Sequence, residues 1–369
     1  MKFKYFFQVV FVTFLFLSCS QKKKDEPIKL SDEKLISYAE NLEIIKKKGS
    51  IYIHIKNPET HEIERRFVFR KKGLPVKNGY IVFSEPVKSM ITLSSTQVGM
   101  LEKLNKTSVI VGVSNHLYVH QPDVLERFKQ GKVIEMGDEG TIPVEAIVAS
   151  KAQLLLYSGF GKEFSHQEQL ERLKTICIAN YDWRENHPLG KAEWIKLFGY
   201  LTGKEKEAFT YFNQIEKEYK KLVELASKAK NKPTLFSGNL ANDIWNSPAG
   251  ESYNAILFKD ANCRYVYANT KGTGSVYKSF EQILQDNIHT DFWFNPGMFV
   301  SKEELFAFQP KFKHFDAVKS NKVYTYSYSG NQFWERSGIE PQHVLSDLIQ
   351  ILHPELKQKK KLYFYQRIE

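Results

Sequence analysis

Residues 204–230 read KEKEAFTYFNQIEKEYKKLVELASKAK, and this stretch decides how the chain is organised. Its apolar residues Ala208, Phe209, Phe212, Ile215, Tyr219, Leu222, Val223 and Ala226 recur in steps of three and four, which puts them on one helical face. Between them Lys206, Glu207, Glu216, Lys217, Glu218, Lys220 and Lys221 set opposite charges three and four apart on the solvated face. Gly203 precedes the run, and Asn231-Lys232-Pro233 ends it, because the residue before proline avoids helical angles. The spacing predicts one helix of roughly 40 Å at about 1.5 Å per residue. Such a helix either lies on the surface of one α/β domain or bridges two. Strand-and-helix alternation on both of its sides favours the bridge.

Working outward toward the N-terminus, the apolar runs before the helix are Ile176-Cys177-Ile178, Leu154 to Tyr157, Val133-Ile134, Val109 to Val113 and Met90 to Leu93. Strands this apolar on both faces suit a parallel sheet covered by helices. Further upstream, Ile51, Ile53 and Ile55 alternate with polar residues. After the turn Asn57-Pro58-Glu59-Thr60 the alternation resumes from Ile63 to Phe69, which predicts a hairpin. A weak helical pattern through Leu35, Tyr38, Leu42 and Ile45 predicts a short helix over Lys34–Lys48. Beyond the long helix the rhythm repeats with Thr234 to Phe236, Tyr265 to Tyr267, Phe292 to Phe294 and Val323 to Tyr326. A last helix follows over Pro341–Leu352. The expected fold is α/β: two lobes with central, mostly parallel sheets, joined by one long linker helix, with a ligand cleft between them. Its expected divisions are a signal segment at 1–18, a tether and short helix at 19–48, a first lobe with an extra hairpin at 49–190, linker helices at 191–230, a second lobe at 231–352 and a basic tail at 353–369.

The chain has 369 residues, 42% hydrophobic and 26% charged, the balance of a globular protein long enough for two domains. Its net charge of +11 invites a nucleic-acid reading. The basic residues, however, fall at Lys22–Lys24, Lys46–Lys48, Arg70–Lys72 and Lys357–Lys361, with no zinc-finger spacing or strand-binding aromatic motif, so no nucleic-acid partner is expected. At the start, Lys2 and Lys4 precede a 13-residue apolar run from Tyr5 to Leu17, too short to span a bilayer and suited to a signal core. It ends Leu15-Phe16-Leu17-Ser18-Cys19 before a polar stretch, which resembles a bacterial lipobox. That resemblance implies lipidation of Cys19 and an envelope protein anchored to a membrane, on the periplasmic side. Removing residues 1–18 takes away Lys2 and Lys4 and leaves 51 basic against 42 acidic residues. Cys177 and Cys263 are expected to be free thiols without catalytic roles.

No catalytic constellation emerges. Gly-x-Ser-x-Gly, His-Glu-x-x-His and Cys-x-x-Cys are all absent. His116 and His120 are four apart, but Asn115 and Pro122 argue for a loop, where two histidines are more often surface groups than metal ligands. No catalytic residue, metal site or cofactor is expected, and a lipid-anchored hydrolase is disfavoured. A purely structural surface lipoprotein would have no concave site between lobes. A faint repeat links Ile142 to Ala149 with Lys278 to Gln285, each with one glutamate, Glu145 or Glu281, in the first turn of a short helix. The helix dipole alone favours a glutamate there, and Ser279-Phe280-Glu281-Gln282 reads as a capping box.

From Ser89 to Leu352 the chain resembles bacterial substrate-binding lipoproteins of ABC importers for iron–siderophore complexes, haem or cobalamin. The stretch Thr141 to Leu156, the linker, and Phe333-Trp334-Glu335-Arg336 carry the resemblance by their order and spacing; the hairpin before Glu85 departs from it. It implies a ligand between the lobes, partners in an ABC permease and its ATPase, and permease docking through Glu145 and Glu281. The ligand edge of open α/β sheets lies at the strands' carboxyl ends. Loops there carry aromatics beside cations: Tyr118, Trp183 with Arg184, and Tyr328 and Trp334 with Arg336. These six are the candidate ligand contacts, since flat rings and guanidinium groups suit a large chelate with anionic groups. An iron–siderophore complex is the leading ligand, with a corrinoid second and haem third, for a protein acting as a monomer.

Overall fold

The striped stretch folds as a single 22-residue helix, Glu205–Ala226, burying Ala208, Phe212, Ile215, Tyr219 and Ala226 on one face. Gly203, in the left-handed region at φ 67°, closes the helix before it. The computed structural model describes residues 32–70, 79–159, 164–326, 332–356 and 361–369. The signal segment and Cys19 lie outside the described residues. Residues 32–369 form one compact unit.

The first five strands, β1 (Glu33–Lys34), β2 (Leu42–Lys47), β3 (Ser50–Lys56), β4 (Ile63–Phe69) and β5 (Ile81–Phe83), make one sheet in that order. It is antiparallel except for the parallel β4–β5 pair. The hairpin expected over 51–69 is its centre. The short helix expected over Lys34–Lys48 is absent: β1 and β2 stand there. Leu42 and Ile44 are buried with period two, and the β2–β3 register places Ile44 opposite Ile53. The helical spacing of Leu35 and Tyr38 is coincidental, because residues 37–41 form an irregular turn whose amides point at two carboxylates. Glu193 accepts from the amides of Ser37 (2.9 Å), Tyr38 (2.7 Å) and Ala39 (3.0 Å); Glu185 accepts from those of Glu40 (2.7 Å) and Asn41 (3.0 Å). A helix would direct those amides along its own axis instead.

Next come β6 (Met90–Thr92), α1 (Ser95–Lys103), β7 (Ile110–Val113), α2 (Pro122–Lys129), β8 (Ile134–Glu135), α3 (Val144–Ala149), β9 (Leu154–Tyr157), α4 (Gln167–Arg172) and β10 (Ile176–Ala179). Their sheet is wholly parallel, in the order β10-β9-β6-β7-β8. Helices α5 (Pro188–Glu193), α6 (Ile195–Thr202) and α7, the linker, follow.

The second half contains β11 (Thr234–Ser237), β12 (Asn239–Ala241), β13 (Ile244–Pro248), α8 (Tyr253–Asp260), β14 (Arg264–Tyr265), β15 (Ser275–Ser279), α9 (Phe280–Asn287) and β16 (Phe292–Phe294). After them come α10 (Lys302–Phe308), α11 (Asp316–Lys319), β17 (Val323–Tyr326), α12 (Phe333–Arg336), α13 (Pro341–Leu352) and β18 (Tyr365–Arg367). Its main sheet runs β14-β11-β16-β17-β18, parallel except for the antiparallel β17–β18 edge. A smaller antiparallel sheet, β12-β13-β15, stands beside it. The stretch expected to be a basic tail therefore returns as an edge strand. Asp347 of α13 fixes it by accepting from the amides of Tyr363, Phe364 and Tyr365 at 2.7–3.0 Å, and Phe364 and Ile368 are buried. Most of the aromatic content goes into cores, above all Phe236, Trp245, Trp293, Phe312 and Phe315 packed ring against ring.

The halves meet at a second place besides the linker. Helix α12 crosses α1 at Gly99, where a Cβ would sit 2.0 Å from the Glu335 carbonyl oxygen. The buried Glu335 carboxylate reaches to the loop after β7, accepting from the amide of His120 (2.7 Å) and from Gln121 Nε2 (3.3 Å). Burial pushes that carboxyl up to about 7, in spite of the two donors.

Candidate functional site

A cleft of about 970 Å³ opens at the carboxyl ends of the second lobe's strands. That is room for a ligand of several rings. Its floor is Ser237 to Leu240 leaving β11 and Asn295 to Phe299 leaving β16; β13, β15 and the start of α8 supply Asn246, Ser275 and Tyr253. The floor is held from beneath. Trp293 Nε1 donates to the Gly238 carbonyl (3.0 Å), Asn295 Nδ2 to Ser237 Oγ (3.2 Å) and Thr325 Oγ1 to the Gly297 carbonyl (2.8 Å). Gly238 has φ 118°, and a Cβ there would lie 2.0 Å from the Asn246 carbonyl oxygen, so only glycine lets β13 approach this closely.

One wall is aromatic. Tyr326 and Phe333 stack face to face at 3.9 Å and 3°, and Trp334 stands edge-on to both at 5.4 and 5.3 Å. Trp183 and Lys191 also line the cleft. The described lining holds two charged side chains, Lys191 and Glu304; the rest of its polarity is amide and hydroxyl. Lys191 Nζ sits 5.6 Å from the Tyr253 ring centroid. This arrangement can hold flat apolar faces and neutral hydrogen-bonding groups. It offers little to a highly charged surface.

Trp183 is carried by a one-turn 3₁₀ helix, Asp182–Arg184, directly after β10. Its Nε1 donates to the Ser158 carbonyl at 2.7 Å, and the Arg184 guanidinium lies 5.2 Å from its ring centroid. Asp182 beneath it is buried, which raises its carboxyl pKa, with the Lys191 charge and the Thr96 hydroxyl acting against the rise. Trp183 and Trp334 keep 39% and 41% of their surface exposed, while Trp194, Trp245 and Trp293 are sealed in cores.

Of the six candidate ligand contacts, Trp183 and Trp334 line the cleft. Tyr118 does not; it is 61% exposed on the turn His116–Tyr118. Arg184 and Arg336 are also not among the lining residues, because both are engaged elsewhere. Arg184 Nη2 pairs with Glu59 (2.6 Å), and Arg336 Nε pairs with Glu340 (2.6 Å). Burial would raise Glu340, but the nearby His343 imidazole (3.7 Å), the hydrogen bond from Arg336 and the Lys103 charge hold it at about 2. Tyr328 lies outside the described residues. Glu145 and Glu281 are both exposed, each in the first turn of its helix, and the Ser279–Gln282 capping box is formed. His116 pairs with Glu135 and stacks on Phe128. Among the described residues no group of three or more His, Cys, Asp or Glu side chains could hold a metal. Cys177 and Cys263 are free, their thiols pushed up to about 12 by burial.

Sequence reasoning missed Tyr253, Ser275, Tyr326 and Lys191, whereas Asn246 falls in the segment Ser237–Gly250 expected to border the cleft. Tyr253 had a signal: Ser252 caps α8, accepting from the Ala255 amide, so a helix start faces the cleft. Ser275 had none, since β15 lacks the apolar runs that marked the main sheet.

A family model described as periplasmic binding protein matches residues 90–328. An uncharacterized lipoprotein of Methanocaldococcus jannaschii is 25% identical over 360 residues, covering 90% of this chain and 85% of that protein. The structure is similar to a periplasmic heme binding protein from Pseudomonas aeruginosa, with a TM-score of 0.60, 12% identity and coverage of 77% of this chain and 98% of that one. It is also similar to a periplasmic vitamin B12 binding protein of Vibrio cholerae (TM-score 0.53, 13% identity, 74% and 99% covered). A third similar structure is an ABC-type Fe3+-hydroxamate transport system protein from Saccharomonospora viridis (0.55, 14%, 73% and 95%). At these identities the likeness shows the shared two-lobed fold. No helix among the described residues is long and apolar enough to cross a membrane.

Proposed function

The chain belongs to the periplasmic binding protein family, the non-enzymatic substrate-binding components of ABC transporters, and from that premise we propose that it captures a metal chelate and hands it to a membrane permease. The observation that carries this reading is the cleft itself, whose lining brings Trp183 of the first lobe together with Tyr326, Phe333 and Trp334 of the second. A chelate presents an apolar periphery around a buried charge, and aromatic faces bind such a periphery through area and stacking. An iron–siderophore complex leads, in keeping with the Fe3+-hydroxamate neighbour. A corrinoid is the alternative, favoured by the single cation, Lys191, in the described lining. Anchoring through a lipid on Cys19 keeps the protein beside its permease, and the lipoprotein name of the archaeal relative supports it. Glu145 and Glu281, one exposed carboxylate per lobe, are the docking points for permease arginines and set orientation more than affinity.

The test is a titration of the protein from Ser20 onward with a ferric hydroxamate, cyanocobalamin and haemin, followed by tryptophan fluorescence. Saturable quenching by one class, reduced in a Trp334→Phe protein, is expected. The absence of saturable quenching with all three would remove the metal-chelate reading.

A further inference from the structure

The sheet β1–β5 precedes the family match at 90–328, yet its side chains and backbone converge on the turn that carries Trp183. Tyr181, buried at the end of β10, donates its hydroxyl to Glu64 of β4 at 2.8 Å. Arg184 is paired at 2.6 Å with Glu59, on the turn between β3 and β4. Glu185 accepts from the amides of Glu40 and Asn41. Three of the five residues from Tyr181 to Glu185 are thus held by the added sheet. A fourth, Asp182, is buried, and the fifth is Trp183. A sheet that merely covered the β10 edge would pair with that strand's backbone; among the described strands β10 pairs with β9 alone.

We propose that the N-terminal sheet is a positioning element of the ligand site: Glu59 and Glu64 lock the Tyr181–Glu185 turn and so set Trp183 as a fixed wall of the cleft. As a statement about ligand, this rests on the function proposed above. Glu59 and Glu64 are positioning residues, since they act through Arg184 and Tyr181. The Arg184 guanidinium is the link, lying over the Trp183 ring on one side and bonded to Glu59 on the other. A rigid ring loses little entropy when a ligand packs on it, and a ring on a loose turn loses more.

The test starts from a Trp334→Phe protein, in which Trp183 is the one partly exposed tryptophan beside three buried ones. Acrylamide quenching then reports the mobility of Trp183 with no ligand present. The double variant Glu59→Gln, Tyr181→Phe should raise the quenching constant by about twofold, a gain bounded by the present 39% exposure of the ring. Glu59→Asp with Tyr181 intact, which keeps both the carboxylate and the Arg184 guanidinium over the ring, should hold quenching near the parental value, which a general sensitivity of the turn to substitution would not do. Whichever of ferric hydroxamate, cyanocobalamin or haemin binds the parent should bind the double variant about threefold to tenfold more weakly, the loss expected when a preformed contact must be ordered on binding. Unchanged quenching overturns the proposal. So does parental affinity for a bound probe in a variant whose Trp183 has been loosened. If none of the three probes binds the parent, the function proposed above fails, and quenching still decides whether the sheet fixes Trp183.

Discussion

Replacing Glu193 by alanine should cost far more stability than any surface change. The Glu193 side chain is fully buried at the end of α5, where it accepts from the amides of Ser37, Tyr38 and Ala39 and from Lys196 Nζ at 2.7 Å. Without it the three amides can reach water, because residues 37–39 lie near the surface. Lys196 cannot. It is itself buried, with its ammonium between the Leu35 carbonyl (2.8 Å) and the rings of Phe209 and Phe212 at 4.9 and 4.3 Å. An uncompensated buried charge costs about 3–5 kcal/mol, which dominates the change. Glu193→Ala should therefore lose about 4 kcal/mol in urea unfolding, and the amides of residues 35–41 should exchange faster with deuterium. The double variant Glu193→Ala, Lys196→Met should recover more than half of that loss, since both charges leave together and the methionine fills the space between the two rings. A loss below about 1 kcal/mol for Glu193→Ala, or a double variant as unstable as the sum of its parts, would refute the argument that the carboxylate's chief work is to balance Lys196.

Glu335→Gln should flatten the pH dependence of stability. The native carboxyl, raised to about 7, holds a proton that the unfolded chain releases above about 4.5, so this group's stabilisation is full below 4.5 and lost as pH rises through 7, by about 3 kcal/mol in all. Unfolding of both proteins at pH 4.5 and 8 checks it, and parallel profiles would count against a protonated native Glu335. Trp334→Ala should weaken binding of the responding chelate by more than tenfold, about 2 kcal/mol, with an unchanged unfolding midpoint; unchanged affinity would assign the ring to the lobe surface. Reversing Glu145 and Glu281 to lysine together should leave chelate affinity in solution intact and abolish uptake in cells, each single reversal being partial and salt-sensitive. Normal uptake by the double reversal would leave the two residues as helix-dipole partners only.

Where sequence revealed this protein, one pattern answered one physical demand. The linker stripe has no competing period, and β9, with Leu154, Leu155, Leu156 and Tyr157 all buried, has no polar face to confuse it with a surface strand. Where it misled, the deciding partner lay far away in the chain. Residues 34–48 carry an ambiguous mixture of periods, and what selects strand is β3 opposite together with Glu185 and Glu193 about 150 residues on, accepting the amides of the intervening turn. The same distance effect governs the candidate contacts. Aromatic-plus-cation loops mark places where a ring and a guanidinium are neighbours in sequence, but the cation's destination is settled by whichever carboxylate the fold supplies. For Arg336 that is Glu340, four residues on at the start of α13, and for Arg184 it is Glu59, on a sheet turn that the loop itself gives no reason to expect. The tryptophans behaved differently because an indole carries no charge for a distant carboxylate to claim. Trp183 and Trp334 stayed at the cleft, and the arginines beside them were drawn into the scaffold that holds them there. A search for binding residues in this chain therefore does better to follow the partly exposed rings first, and to read each neighbouring cation as structure until the fold shows its carboxylate to be missing.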